Sequence, residues 1–274
     1  MTKKAIKLGK LKTAQEVVAF LNEKSSTEKV IFLPGEKSLE VERIPVGLKS
    51  LDALLGGGLP LGRVVEVYGL ESGGKTTLAL QMAAAVQKAG KLAAFIDAEH
   101  SLDLSYANDL GVDTDNLIVS QPMSAEEVFE TLYDLVDHTG IVIVDSTAAL
   151  MPESDLENPQ PGSQARIISQ GIRKIVHKLS LSGAIVVFLS QLRNTFARFG
   201  SSTASTGGKS LKFYASVRLE VKIGRRGGVI RKGKPVGNIV KIKTAKNKTF
   251  APFKEEEFNL IYGEGLSERK KRST

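Results

Sequence analysis

The nine residues from Gly69 to Thr77, GLESGGKTT, carry the clearest potential for chemistry in this chain. They follow the spacing G-x-x-x-x-G-K-[ST] of a phosphate-binding P-loop and stand between an apolar strand and a helix-forming run. Glycines let backbone N–H groups surround a phosphate chain without a Cβ in the way, and a helix N-terminus adds free donors. We expect Lys75 at the β- and γ-phosphates and Thr76 at a Mg²⁺ ion. The expected nucleotide-binding residues are Gly69, Leu70, Glu71, Ser72, Gly73, Gly74, Lys75, Thr76 and Thr77. A chance glycine-rich turn is the alternative, and the flanking strand and helix argue against it.

Two further carboxylates follow apolar strands. Asp145 ends the run Ile141–Val144, which predicts a buried strand with an acid at its carboxyl edge, beside the P-loop. There we expect Asp145 to position Mg²⁺ through a water molecule. Glu99 follows the strand after the P-loop helix, at a place from which it could polarise an attacking water. For Glu99, the residues alone favour the simpler interpretation of a solvated loop acid.

Strands and helices alternate along the chain. Thr13 to Asn22 has the apolar spacing of a helix, Thr13 and Glu16 are spaced as a capping box, and Val30–Leu33 predicts a short strand. Core strands are predicted over residues 64–68, 92–96, 117–120, 141–144 and 184–189, with helices over 76–88, 102–110, 125–136 and 164–181. Three later strands are predicted over 215–223, 239–243 and 258–262. Apolar strands that alternate with helices indicate a doubly wound, mostly parallel α/β sheet.

Composition restricts the class of protein. The chain has 274 residues, a net charge of +8, no cysteine and three histidines. Disulfides and zinc ribbons are therefore excluded, and three scattered histidines do not build a metal site. No apolar run approaches the ~18 residues of a transmembrane helix, and no apolar segment of a secretory signal follows the basic N-terminus. We expect a soluble cytoplasmic protein with one α/β core and small appendages.

Basic residues are concentrated in one region. From Lys222 to Lys248 the chain carries ten lysines and arginines and no acid, and the tail adds a basic tetrad at 269–272. A solvated surface stripe is one interpretation. An acid-free run of this length in a protein with a nucleotide site favours the other, a nucleic-acid partner.

From about Val41 to Gly265 the chain resembles the bacterial and phage RecA recombinases. The shared segments are LPLGRVVEVYG at 59–69, DAEHSLD at 97–103, VDSTAAL at 144–150, TGGKSLKFYASVRL at 206–219, and KNK with APFK at 246–254. They recur in the family's order and spacing, and this makes them far more specific than a P-loop alone. The resemblance implies a RecA-like P-loop ATPase core with ATP and Mg²⁺ as cofactors.

The resemblance also implies roles for single residues around the nucleotide. Glu99 matches the family's catalytic glutamate. Asp103 and Tyr106 match its adenine contacts, with Tyr106 stacked on the base. Gln191 matches the sensor of the γ-phosphate, which couples nucleotide state to DNA binding.

Two DNA-binding loops are implied as well. The first is expected at about 153–163; it is acidic and proline-rich, so phosphate contacts fall to Arg166 and Arg173 beside it. The second runs from about 192 to 206 and mixes small residues with arginine and phenylalanine, a composition suited to gripping a backbone and separating bases. Without the resemblance, it could be any surface loop. The expected contacts of this loop and the segment after it are Arg193, Phe196, Arg198, Phe199, Gly207, Gly208 and Lys209.

Assembly is expected to be head-to-tail. Lys246 and Lys248 match a pair that reaches the neighbouring subunit's ATP and supplies charge in trans, as an arginine finger does. The helix and strand within residues 1–34 are expected to add to a neighbour's sheet edge, which gives a helical filament; packing on their own core is the alternative. The expected organisation is this lead, an ATPase core over 35–265 and a basic tail over 266–274. Better-known members of the family continue into a C-terminal domain and an acidic tail, whereas this sequence ends in the basic tetrad. We therefore expect no autoinhibition by an acidic tail.

These observations predict an ATP-dependent DNA recombinase, a DNA-dependent ATPase that forms helical filaments on single-stranded DNA and pairs it with homologous duplex. One alternative is another RecA-fold motor, such as a hexameric helicase; the absence of further domains and the segment at 207–214 argue against it. The other is a recombination mediator that binds ATP and DNA without catalysis. The set of Lys75, Glu99, Asp145 and Gln191 argues against this second alternative.

Overall fold

The computed structural model describes residues 13–24, 40–155, 160, 162–195, 202–205 and 208–269. The chain divides into two units, Met1–Val41 and Glu42–Thr274. The predicted strand Val30–Leu33 lies outside the described residues, as do the predicted DNA contacts Phe196, Arg198, Phe199 and Gly207.

The first unit contains helix α1, Ala14–Lys24. Its capping box forms as predicted: the Thr13 N–H donates to Glu16 Oε2 at 3.1 Å, and the Glu16 N–H donates to Thr13 Oγ1 at 3.2 Å. Both bonds satisfy N–H groups that a helix start leaves without an intrahelical acceptor, and this fixes where α1 begins.

The second unit alternates strands and helices. Its helices are α2 Lys49–Leu55, α3 Lys75–Lys88, α4 Leu104–Asp109, α5 Ala125–Leu135, α6 Ser163–Ser182 and α7 Gly208–Tyr214. Its strands are β1 Arg43–Ile44, β2 Leu59–Pro60, β3 Val64–Gly69, β4 Ala93–Asp97, β5 Leu117–Ser120, β6 Ile141–Asp145, β7 Ile185–Thr195, β8 Ser202–Ser205, β9 Val217–Arg231, β10 Lys234–Asn247, β11 Glu255–Ile261 and β12 Gly265–Glu268. Among the described helices, none is long and apolar enough to cross a membrane.

The main sheet runs in the order β12-β11-β10-β9-β3-β7-β6-β4-β5, and β8 pairs with β7 outside this path. The strands from β9 to β5 in this order are mutually parallel, and β10, β11 and β12 continue the sheet antiparallel to one another. The neighbours of β3 are β7 and β9, both from much later in the chain. Open α/β sheets bind ligands at such a change of strand order, at the carboxyl ends of the strands.

Two apolar clusters cover the two faces of the sheet. Along β6, Ile141 and Ile143 pack in the cluster with α3, and Val142 and Val144 pack in the cluster with α5, α6 and α7. Successive strand side chains point to opposite faces, so a strand covered on both faces is apolar throughout. This accounts for the continuous apolar runs in the sequence.

The structure corrects the bounds of three predicted elements. The strand predicted to end at Leu189 continues to Thr195 and pairs antiparallel with β8 from Leu192↔Ser205 to Thr195↔Ser202. The predicted DNA-binding loop at about 192–206 therefore begins and ends in paired backbone, and its contact with DNA stays a prediction. Strands β9 and β10 have 15 and 14 residues and pair far beyond the predicted 215–223 and 239–243. Their outer parts are rich in polar residues and glycine, so the apolar pattern did not detect them.

Candidate functional site

The P-loop occupies the turn between β3 and α3. Gly74 has a φ of 89°, and a Cβ there would lie 2.9 Å from Leu260 Cδ2. A Cβ on Gly69 would overlap the Val221 carbonyl oxygen of β9. Both positions therefore require glycine. Among the described residues, no side chain caps α3, so the free N–H groups of its first turn can bind an anion.

An open cleft of about 250 Å³ lies against the P-loop. Its lining residues are Ser72, Gly73, Gly74, Lys75, Thr76, Thr77, Tyr106, Leu260, Ile261 and Tyr262. Tyr106 Oη lies 2.8 Å from Thr77 Oγ1, which holds the Tyr106 ring beside the loop. Asp103 does not line the cleft; its carboxylate caps α4 by accepting the Tyr106 N–H at 3.1 Å. The structure thus brings Tyr106 to the cleft and places Asp103 one turn away from it, as a cap.

Thr76 and Asp145 meet at the carboxyl end of β6. Thr76 Oγ1 donates to Asp145 Oδ2 at 2.8 Å. Burial raises the pKa of Asp145 to about 6; the Thr76 hydrogen bond and Lys75 oppose this rise, and Glu99 and Asp97 add to it. Burial and nearby negative charges destabilise the ionised form of Asp145, and a bound cation would stabilise it. Hydroxyl and carboxylate oxygens are both ligands of Mg²⁺.

These two residues therefore fit a Mg²⁺ ion held in part by nucleotide and water. Among the described residues, no group of three or more acids or histidines could hold a metal by itself. One hydroxyl together with one carboxylate is typical of Mg²⁺, which protein sites usually bind through one or two carboxylates together with substrate phosphates.

Glu99 and Gln191 lie together although 92 residues separate them in sequence. Gln191 Nε2 donates to Glu99 Oε1 at 3.3 Å, and Ser146 Oγ donates to the same oxygen. Gln191 pairs with Gly69 in the register of β7 and β3, so it lies beside the start of the P-loop. A carboxylate held by two side chains next to a phosphate-binding loop is a better candidate for a general base than an unattached loop acid.

Lys75 lies among carboxylates. Its Nζ donates to the Leu70 carbonyl at 2.8 Å. Burial lowers the pKa of Lys75, while Asp145, Glu99 and Glu71 oppose this change. The ammonium group thus lies near Asp145, Glu99 and Glu71, three of the acids that sequence reasoning assigned to the site.

Comparisons with known proteins identify the family. A model of the RecA N-terminal domain matches residues 12–267. "Protein RecA" of Caulobacter vibrioides (strain NA1000 / CB15N) is 50% identical over 242 residues, which cover 85% of this chain and 67% of that protein. "Protein RecA" of Kineococcus radiotolerans is 48% identical over 266 residues, which cover 93% of this chain and 75% of that protein. The chain belongs to the RecA family.

The fold of this RecA-family chain also matches a solved structure. The crystal structure of the RadB recombinase superposes with a TM-score of 0.63 at 20% identity, covering 83% of this chain and 100% of that one. At this identity the likeness concerns the fold alone. The prediction of a mostly parallel α/β sheet of RecA type is confirmed.

In the RecA-family chain, Lys246 and Lys248 stand at the end of helix α7. Lys246 Nζ donates to the Lys212 and Phe213 carbonyls at 2.6 and 2.9 Å, and Lys248 Nζ donates to the Phe213 carbonyl at 3.4 Å. The carboxyl end of a helix attracts cations through its free carbonyl groups and its dipole. Burial, Lys248 and Arg218 lower the pKa of Lys246. The two lysines are therefore held as a pair, and sequence reasoning did not foresee the helix end that holds them.

The predicted DNA contacts within the described residues lie on α6, β7 and α7. Arg166 and Arg173 are exposed on α6 and, being seven residues apart, lie two turns apart on one face. Arg173 Nε donates to Tyr214 Oη at 3.3 Å, which links α6 to α7. Arg193 lies in β7, and Gly208 and Lys209 begin α7.

Sequence reasoning missed several site residues of this family member. Ser146 directly follows Asp145 in the shared VDSTAAL segment, and that position was the available signal for its contact with Glu99. Leu260 and Tyr262 were assigned only to a late strand, because nothing local shows that β11 ends beside the P-loop. Glu66 and Arg218 both influence the pKa of Lys246; Glu66 is fully buried and ion-paired with Arg218, whose guanidinium lies 4.3 Å from the centre of the Tyr68 ring.

Proposed function

We propose that this chain is an ATP-dependent DNA recombinase that assembles on single-stranded DNA and hydrolyses ATP between subunits. The observation that carries the proposal is the meeting of Lys75, Thr76–Asp145 and Glu99–Gln191 at one edge of the sheet, beside a cleft of about 250 Å³. Membership of the RecA family supports the same function.

In the proposed reaction, Lys75 and the first turn of α3 hold the phosphates of ATP. Thr76 and Asp145 would hold Mg²⁺, which would supply positive charge to the phosphates. Glu99 orients the attacking water and takes its proton. Gln191 shares a hydrogen bond with that carboxylate and lies on β7, which leads into the hairpin with β8, so it is placed to report the state of the nucleotide to the DNA-binding segment.

We propose that the adenine base of ATP binds beside Tyr106 and Tyr262. Both line the cleft, and Tyr262 is exposed. Aromatic rings at the end of a phosphate-binding loop suit stacking on adenine. Asp103 contributes by capping α4 and thereby holding Tyr106 in place.

Arg166 and Arg173 are exposed on α6, and we propose that they bind the phosphates of DNA. The basic strands β9 and β10 offer a second surface, but part of their charge is balanced. Lys222 pairs with Glu220 at 2.7 Å and Lys241 with Glu255 at 2.5 Å. The positive charge free to meet duplex DNA is therefore smaller than the acid-free sequence run suggests.

Assembly through strand addition is supported by the edge strand β5. In the described sheet β5 pairs with β4 alone, and its Ile118 and Val119 side chains are 37% and 41% exposed. An exposed apolar edge strand is a template for a further strand. We propose that Val30–Leu33 of a neighbouring subunit takes this place.

Deletion of residues 1–34 is expected to leave a folded core that binds ATP, forms no filaments and shows little DNA-stimulated hydrolysis, because the head-to-tail contact is lost. Electron microscopy on single-stranded DNA and a nucleotide-binding assay check this. Long filaments of the truncated protein would contradict the proposed assembly.

The proposed function itself is tested by ATPase assays with and without single-stranded DNA, with electron microscopy of the same samples. We expect stimulated hydrolysis together with helical filaments. Closed rings with DNA unwinding would instead support the helicase alternative, and DNA binding with no hydrolysis would support a mediator. A soluble, cytoplasmic protein remains our prediction for its location.

A further inference from the structure

Asp97 ends β4 and is fully buried. Its carboxylate accepts three hydrogen bonds: from the Ser101 N–H at 3.0 Å, the Leu102 N–H at 3.2 Å and Gln121 Nε2 at 3.0 Å. The proposed reaction does not use this carboxylate, and sequence reasoning gave it no role. A buried carboxylate with three donors is a rigid anchor, because bonds to a charged acceptor are stronger than neutral ones.

The segment held by Asp97 is the one that carries Glu99. Residues 98–102 leave β4 with the Ala98 N–H bonded to the Asp145 carbonyl at 2.9 Å. Within the turn, His100 has a φ of 53°, in the left-handed region that a residue with a Cβ seldom adopts. Such a backbone persists only where its surroundings fix it. The two N–H bonds to Asp97 close the turn at its far end and supply that constraint.

We propose that Asp97 is a positioning residue for Glu99: it fixes the turn 98–102, so that the Glu99 carboxylate meets Ser146 and Gln191 beside the P-loop. This inference rests on the proposed function, in which Glu99 is the general base. Gln121, which directly follows the edge strand β5, completes the anchor through its amide N–H. A displacement of about 1 Å at a reacting group costs as much as 100-fold in rate, so a loosened turn should affect turnover more than binding.

Asp97→Asn is the direct test, because it keeps the size of the side chain but replaces one acceptor oxygen by an NH₂ group. That group cannot accept a hydrogen bond from Ser101, Leu102 or Gln121. We expect kcat for DNA-stimulated hydrolysis to fall by about 100-fold. The KM for ATP and the Mg²⁺ concentration needed for half-maximal rate should stay within about twofold of wild type, because a positioning residue acts on the chemical step. Asp109→Asn, on the exposed end of α4, is the matched control and should keep the wild-type rate.

The deciding measurement is single-turnover hydrolysis by the double variant Asp97→Asn/Glu99→Gln. If Asp97 acts through Glu99, the double variant loses no more activity than Glu99→Gln alone. If Asp97→Asn lowers the rate by the same factor in both backgrounds, or raises the Mg²⁺ requirement, the inference is overturned while the general base stands. If Glu99→Gln alone keeps the wild-type rate, the proposed base is wrong and the inference falls with it.

A second variant covers the case in which Asp97→Asn does not fold. Gln121 is exposed, so Gln121→Met removes one donor to Asp97 without disturbing the core. We expect a kcat reduction of about 3- to 10-fold, smaller than for Asp97→Asn because two of the three bonds remain. The reduction should vanish in the Glu99→Gln background. An unchanged rate for Gln121→Met, or an equal loss in both backgrounds, would overturn the inference.

Discussion

Replacing Glu99 by glutamine is expected to slow ATP hydrolysis by roughly two to four decades, the range for a positioned general base. Glutamine keeps the shape of the side chain and its acceptor oxygen, so the contacts with Ser146 and Gln191 can persist. It cannot take a proton from water. ATP binding and filament formation on single-stranded DNA should therefore continue, with the filaments held in the ATP-bound state. Steady-state hydrolysis, nucleotide binding and electron microscopy of one preparation check the three parts of this expectation.

Glu130→Gln is the matched control for this variant. Glu130 lies on the exposed side of α5, and the same chemical change there should leave hydrolysis unaltered. Wild-type hydrolysis by Glu99→Gln would mean that the carboxylate is an ordinary loop acid. The hydrogen bonds to Ser146 and Gln191 would then serve only to order the loop.

Most strands of the parallel part of the sheet could be predicted from local sequence patterns. A strand such as Ile141–Asp145 is covered on both faces, so every residue in it is apolar until the acid at its end, and its bounds could be predicted within one residue. The capping box at Thr13 and Glu16 is equally local. The outer parts of β9 and β10 could not be predicted in this way. There the two strands pair mainly with each other, and backbone hydrogen bonds leave no signature in the side chains.

The candidate site divides in the same manner. Lys75, Thr76 and Asp145 belong to motifs whose spacing is fixed by a turn or a strand end, so sequence was sufficient to predict that they lie together. Contacts that depend on the order of the strands in the sheet could not be predicted from local sequence patterns. Tyr262 lies beside the P-loop because β11 ends there, and Gln121 reaches Asp97 because β5 pairs with β4. Both follow from tertiary packing, which local propensity does not encode.

Lys246→Ala is expected to reduce DNA-stimulated hydrolysis by about three decades, the lower end of the range for a charge supplied in trans. The variant should fold and bind ATP, because Lys246 lies on β10, outside the cleft that holds the P-loop. The same loss is expected for Lys248→Ala. Lys88→Ala, an exposed lysine at the end of α3, should keep the wild-type rate. Rates at saturating single-stranded DNA, with binding of a fluorescent ATP analogue as the folding check, measure these effects.

Mixing two inactive proteins separates action in trans from action within one subunit. Lys246→Ala protein keeps Glu99, and Glu99→Gln protein keeps the lysine. In a head-to-tail filament with random order at equal amounts, about a quarter of the interfaces join an intact Glu99 to an intact Lys246, so about a quarter of the wild-type activity should return. If Lys246 acts within its own subunit, no mixture contains a complete site and activity stays at the level of the separate variants. The mixing experiment is needed because Lys246 already donates hydrogen bonds to the Lys212 and Phe213 carbonyls of its own chain. Its role could therefore lie within its own subunit or at the neighbour's ATP. A mixture that recovers nothing at any ratio would assign Lys246 to holding the end of α7 and would remove it from the neighbour's active site.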